Sequence, residues 1–151
     1  MKHFSFILIL LFISSCATGP TYEQYTNTDA ACIKGDMANF FKFFASGEAH
    51  VNILEIDGLP VNKGGGFSCV SPGKHSFGVV ANNNYRNVND YIDLNLESGR
   101  KYQLKANLAG ISFWFKLHDI TNNSDQIVQE FKLKVNGQDT PVTVPIFIPA
   151  Q

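Results

Sequence analysis

Much that would mark a function is missing from this chain. Of its 151 residues 12 are basic and 13 acidic, and charged residues make up only 17%. That balance offers no clustered basic face, so nucleic acid is not an expected partner. No apolar run approaches the roughly 20 residues of a membrane-crossing helix. No repeat of solenoid period is visible. The 4 histidines and 3 cysteines include no His-x-His, His-x-x-x-His or Cys-x-x-Cys spacing, so no metal site is expected. Gly64-Gly65-Gly66 is not followed by the Gly-Lys-Ser/Thr of a phosphate loop. Gly66-Phe67-Ser68-Cys69-Val70 fails the Gly-x-Ser-x-Gly elbow at its last position, which leaves His118-Asp119 without a matching serine. Asn82 and Asn84 suit alternate calcium ligands, but Arg86 falls where the next oxygen belongs. No catalytic residue emerges, and the expectation is a non-enzyme.

What is present begins at the first residue. Lys2 and His3 are polar, Phe4 to Ile13 is apolar apart from Ser5, and Ser14 and Ser15 are small. A basic start, an apolar core of about 7–15 residues and a small-residue end make a secretory signal. Ile13-Ser14-Ser15-Cys16 resembles the bacterial lipobox: a branched apolar residue, two small ones and an acceptor cysteine. The resemblance implies a signal peptide at 1–15, cleavage before Cys16, and a diacylglycerol plus an acyl chain such as palmitate on that residue. That covalent lipid is the only cofactor expected. Two or three chains give stable anchoring where one does not. Ala17 rather than Asp follows the cysteine, which in that family favours the outer membrane, facing the periplasm or the cell surface. The competing reading is an ordinary secretory signal cleaved after Ala17.

With Cys16 lipidated, Cys32 and Cys69 remain as an even pair in a compartment where disulfides persist. A bridge between them would stabilise by roughly 4 kcal/mol in the chain-entropy model. Two buried free thiols are the alternative.

Residues 16–29 are polar and aperiodic and read as a lipidated tether. Residues 30–151 carry β patterning, with a first short strand at Ala31 to Lys34. The one helix expected lies at 36–47, capped by Asp36 and ended by Gly47, with Met37, Phe40, Phe41 and Phe44 on one face. It either closes an open end of the β core or, since Phe43 lies off that face, presents an aromatic patch to the bilayer or a partner. Strands follow over Ala49 to Ile56 and Phe67 to Val70, then a run in which His75, Phe77, Val79 and Ala81 alternate. Asn82 to Asn87 reads as a polar loop. Ile92, Leu94 and Leu96 alternate with Asp93, Asn95 and Glu97; Tyr102, Leu104, Ala106 and Leu108 do so with Gln103, Lys105 and Asn107. Joined by Ser98-Gly99, the two runs read as an antiparallel hairpin. Ile111, Phe113, Phe115 and Leu117 continue the inward pattern, as do Ile127, Phe131, Leu133 and Val135, with Gln129 an exception. Val142, Val144, Ile146 and Ile148, interleaved with prolines, read as an edge strand. The expected fold is all-β: an antiparallel β-sandwich of about seven or eight strands with one short helix.

Within this region Val51-Asn52-Ile53-Leu54-Glu55-Ile56-Asp57-Gly58 is followed by Cys69-Val70-Ser71-Pro72-Gly73-Lys74-His75-Ser76-Phe77. A strand ending in Ile-Asp-Gly and a Pro-Gly-x-His turn resemble the PEGA-like β-sandwich modules of bacterial envelope proteins. The resemblance extends over about 49–108, without that family's Pro-Glu-Gly-Ala signature or Gly-x-Thr-Pro turn. It implies a display or binding module in the envelope and carries over no catalytic residue.

Trp114 falls on the polar face of its strand with Lys116 and His118. It either stacks on a sugar or anchors a partner, or packs under a loop or the Phe40–Phe44 segment. The functional expectation is a lipid-anchored cell-envelope lipoprotein, held in the bilayer through Cys16 and acting as a non-catalytic interaction module for an envelope protein. The alternative is a ligand-binding or enzymatic β domain acting on cell-wall sugars.

Overall fold

The computed structural model describes residues 19–37, 48–61, 65–83, 86–135 and 146–147. Their regular structure is nearly all strand, with a 3-10 turn at Thr121–Asn123. The strands are β1 (Ala31–Gly35), β2 (Glu48–Ile56), β3 (Leu59–Pro60), β4 (Ser68–Val70) and β5 (Gly73–Asn83). β6 (Arg86–Leu96), β7 (Lys101–Ala109), β8 (Ser112–Asp119), β9 (Gln126–Lys134) and β10 (Ile146–Phe147) complete them.

They form a sandwich-like pair of layers. One sheet runs β4-β1-β7-β8-β9-β10 and the other β3-β2-β5-β6. β2 belongs to both: Glu48 and Ala49 pair with β7, and from His50 onward the strand pairs with β5. Ile33, Leu104, Phe113, Phe115 and Leu133 from the first sheet meet Val51, Ile56, Phe77, Val79 and Leu94 from the second, all buried. Phe115 and Phe131 stack at 5.2 Å between centroids. Each large side chain buried this way contributes about 1.5–3 kcal/mol.

Local chemistry sets the turns and the corner. Asp57 and Gly58 have φ of 51° and 77°, the left-handed pair that a tight hairpin between β2 and β3 requires. At Gly35 the chain crosses β2 so closely that a Cβ would lie 2.0 Å from the Val51 carbonyl oxygen. The Val51 amide donates to the Asp36 carbonyl at 2.8 Å, which locks that crossing.

Several expectations are corrected. The runs at 92–96 and 102–108 are strands but not a hairpin: β6 pairs with β5, and β7 with β8, β1 and β2. The Ser98-Gly99 turn carries the chain between sheets, so the two apolar faces meet across the core rather than side by side. One pairing, β1 with β7, is parallel. The Asn-rich loop is short, because β5 runs to Asn83 and pairs it directly with Arg86. Ile111 is not inward; it sits in the β7–β8 turn, 50% exposed. Ile127 also leaves the inward row. A register shift at Val128 sets Ile127 opposite His118, while Val128 packs on the core and Gln129 falls opposite Leu117.

The stretch expected as a tether lacks regular structure, yet it is fastened from Tyr22 onward. The Tyr22 amide donates to Pro60, the Tyr25 amide to Cys69, and the Gly99 amide to Asp29. The Tyr22 hydroxyl donates to the Cys69 carbonyl at 2.7 Å, and the Cys69 amide to Gln24 Oε1 at 2.6 Å. Cys32 and Cys69, directly opposite on β1 and β4, are disulfide-bonded. Cys16, the helix at 36–47 beyond Met37 (with Phe43), and Val142, Val144 and Ile148 lie outside the described residues.

Candidate functional site

Strand alternation brings Trp114, Lys116 and His118 together on the outer face of β8, as their spacing requires. Register supplies their neighbours. Asn107 and Lys132 flank Trp114, Lys105 and Glu130 flank Lys116, and Gln103 and Ile127 flank His118. The Lys132 ammonium sits 3.9 Å over the Trp114 ring, a cation–π contact. Lys116 pairs with Glu130 at 3.4 Å. Trp114 is therefore partly covered by a lysine of the next strand.

His118 is the buried member of the row. Its Nδ1 lies 2.6 Å from Asp125, which also takes the Lys105 ammonium at 3.3 Å. Burial and then the nearby Lys105 charge push the His118 pKa below its ordinary value, against the pull of Asp125. Hydrogen bonding from His118, reinforced by Lys105, holds the Asp125 carboxyl below the usual range. A neutral imidazole beside a carboxylate carries its proton on Nδ1 and leaves Nε2 as an acceptor. Asp119 takes no part: it accepts from the Thr121 amide at 2.8 Å and pairs with Arg100 at 3.3 Å. The His118-Asp119 pair is thus split by the fold.

The same outer face carries Lys34, Lys101, Lys105, Lys116, Lys132 and Lys134, against Asp125, Glu130 and Asp36, whose carboxylate accepts from Gln103 at 2.8 Å. Sequence reading missed this concentration because the lysines are dispersed over four strands and the net charge is nearly zero. Lys34 and Lys101 both lie over the Phe67 ring, at 5.1 and 6.0 Å.

Two polar clusters lie elsewhere. Asp57 and His75, from the Ile-Asp-Gly and Pro-Gly-x-His segments, meet with Nδ1 2.7 Å from the carboxylate. His75 Nε2 is 2.9 Å from the Ser71 carbonyl and 3.3 Å from its hydroxyl. Proximity to the carbonyl makes this a clamp between two turns rather than an activated serine. Burial would raise the Asp57 carboxyl, but bonds from His75 and the Ser76 amide outweigh it and hold the pKa down. On the outer face of the second sheet, Leu54, Glu55, Gly78, Asn89, Asp90 and Tyr91 line a shallow cleft of about 340 Å³. There the Tyr91 hydroxyl donates to Glu55. Gly78, an isolated glycine inside a strand pattern, was the available sequence signal; its place opposite Tyr91 is set by the register.

No group of three metal-ligating side chains occurs among the described residues. No protein-family model, curated protein or solved structure matches the chain.

Proposed function

We propose that the chain is a lipid-anchored cell-envelope lipoprotein whose sandwich domain is a non-catalytic interaction module at the outer membrane. The observation that carries this reading is the Cys32–Cys69 bridge, which leaves Cys16 as the one cysteine outside a disulfide. An odd cysteine in a secreted chain calls for another fate, and its place after Ile13-Ser14-Ser15 supplies one. Acylation there fixes the domain to the bilayer, and the row Trp114, Lys116 and His118 faces a protein of the envelope.

The row suits a protein partner better than a sugar cleft. One side of the Trp114 ring carries Lys132, and the lysines around it alternate with Glu130 and Asp125 as on a protein–protein rim. Replacing Cys16→Ser moves the protein from the membrane to the soluble fraction; unchanged retention overturns the anchor. Trp114→Ala weakens recovery of a crosslinked envelope partner by more than about fivefold, the loss of a hot-spot aromatic. If recovery is intact while binding to peptidoglycan fragments disappears, the sugar-binding alternative replaces this reading.

A further inference from the structure

The N-terminal segment is docked too early to leave a long leash. Tyr22 is tied to Pro60 and Cys69, so six residue steps separate it from Cys16, at most about 20 Å of extended chain. A domain of this size is about 35 Å across. A leash shorter than the domain restricts which side can face the anchor. The side that follows is the one where the leash leaves, at the Tyr22 backbone beside Pro60, with the Tyr22 hydroxyl reaching Cys69.

That side carries an apolar and basic surface. Phe67, two residues and about 7 Å along the chain from Cys69, is 39% exposed, and Met37 is 60% exposed. Met37 lies close to Gly65, on the same connection as Phe67. Lys34 and Lys101 hold their ammonium groups over the Phe67 ring. An exposed aromatic and a thioether rimmed by lysines suit an anionic bilayer surface: the ring enters the headgroup layer and the ammonium groups meet lipid phosphates. Trp114 and Lys132 lie farther off, four residues along the strands from the level of Gln103 and Lys34, whereas His118 is level with them.

From leash length and surface chemistry together we infer that Phe67, Met37, Lys34 and Lys101 form a second, non-covalent membrane contact. It docks the domain face-down on the anionic leaflet that holds Cys16. This rests on the lipid-anchor reading above. The contact tilts the module onto the end of the outer face that holds Lys34 and Lys101, and Trp114, about 14 Å farther along the same face, stands clear of the bilayer for a partner.

The test uses the full chain extracted from membranes, carrying Phe67→Trp in a Trp114→Phe background. It is reconstituted into phosphatidylglycerol–phosphatidylethanolamine vesicles containing brominated lipid. The expected result is strong bromine quenching of the introduced indole. In the unsubstituted chain, Trp114 is quenched less. Lys34→Ala and Lys101→Ala each lower the face-down to face-up ratio about fivefold, and about thirtyfold together, the worth of a lysine at an anionic surface. Intact mass of the same sample reports the lipid. A lipidated chain whose introduced indole is unquenched overturns the docking and leaves the anchor standing. A chain without lipid on Cys16 overturns both. Stronger quenching of Trp114 than of the introduced indole overturns the placement of the face.

Discussion

Both sheets contain local hairpins, β5–β6 in one and β7–β8–β9 in the other, but only one of them also joins distant strands by a cross-link. In the sheet of β5 and β6, two 11-residue strands are joined across two residues, and the Asp57-Gly58 turn folds β3 onto β2. That hairpin and that turn are close in sequence and lose little chain entropy in forming, while β2 reaches β5 across 21 to 32 residues, from Ile56–Phe77 to His50–Asn82. In the other sheet, β4, β1 and β7 come from well-separated parts of the chain, and β1 lies parallel to β7. That sheet carries the disulfide, the docked residues 22–29 and most of the lysines. Covalent and backbone fastening is placed where local turns do not reach. The fastened sheet is also the one that displays Trp114, Lys116 and His118, and a rigid scaffold is what a recognition surface needs.

The largest way to break this contrast is to cut the fastening. Cys32→Ser with Cys69→Ser is expected to cost about 4 kcal/mol in denaturant unfolding, the loop-closure value for this separation. An unchanged midpoint would mean that β1 and β4 need no cross-link. Next comes Gly35→Ala, whose new Cβ meets the Val51 carbonyl oxygen at 2.0 Å, backbone that cannot step aside. The loss is expected at about 3 kcal/mol, the upper end for overpacking. Its counterpart in the hairpin sheet, Gly78→Ala, meets Glu55 Cβ at 3.0 Å and the Tyr91 ring at 3.2 Å. The Tyr91 ring can swing and Glu55 Cβ needs to give by only a few tenths of an ångström, so about 1 kcal/mol is expected. Equal losses at the two glycines would erase the distinction.

Smallest are two pH effects, one at His118 and one at Asp57. His118 has a lowered pKa in the fold, so the unfolded chain binds its proton first. Stability therefore declines as pH falls from about 6.5 toward the folded value, and His118→Gln removes that step. Asp57 is also lowered, so its contribution is present above about pH 4 and lost as pH falls through the folded value. Asp57→Asn removes its part of this lower step, leaves the part held by Asp125, and does not touch the His118 step. Urea midpoints across both windows, each taken as the difference from the unsubstituted chain, check the assignment.

How much of this the sequence disclosed follows from the range of each interaction. Alternation at 92–96 and 113–117 was legible because side-chain direction is a property of the strand itself. The outward row of Trp114, Lys116 and His118 followed from the same rule. Partner choice was not legible: a short glycine turn after Leu96 looks alike whether the next strand pairs beside β6 or crosses to the other sheet. The shift at Val128 was hidden for a similar reason, since an extra residue announces itself only through Gln129 breaking the inward pattern. Asp57 and His75 each belong to a legible turn segment, but their contact depends on tertiary placement. The lysine face was invisible to a net charge that averages over the whole surface.

Cys16 decides whether the domain is lipid-anchored, and intact mass of the protein extracted from membranes tests this most directly. The predicted species begins at Cys16, carries a diacylglyceryl group and an acyl chain, and is two hydrogens lighter than its remaining thiols would make it. A membrane-extracted chain with an unmodified cysteine at position 16, or one that begins beyond it, would contradict the account.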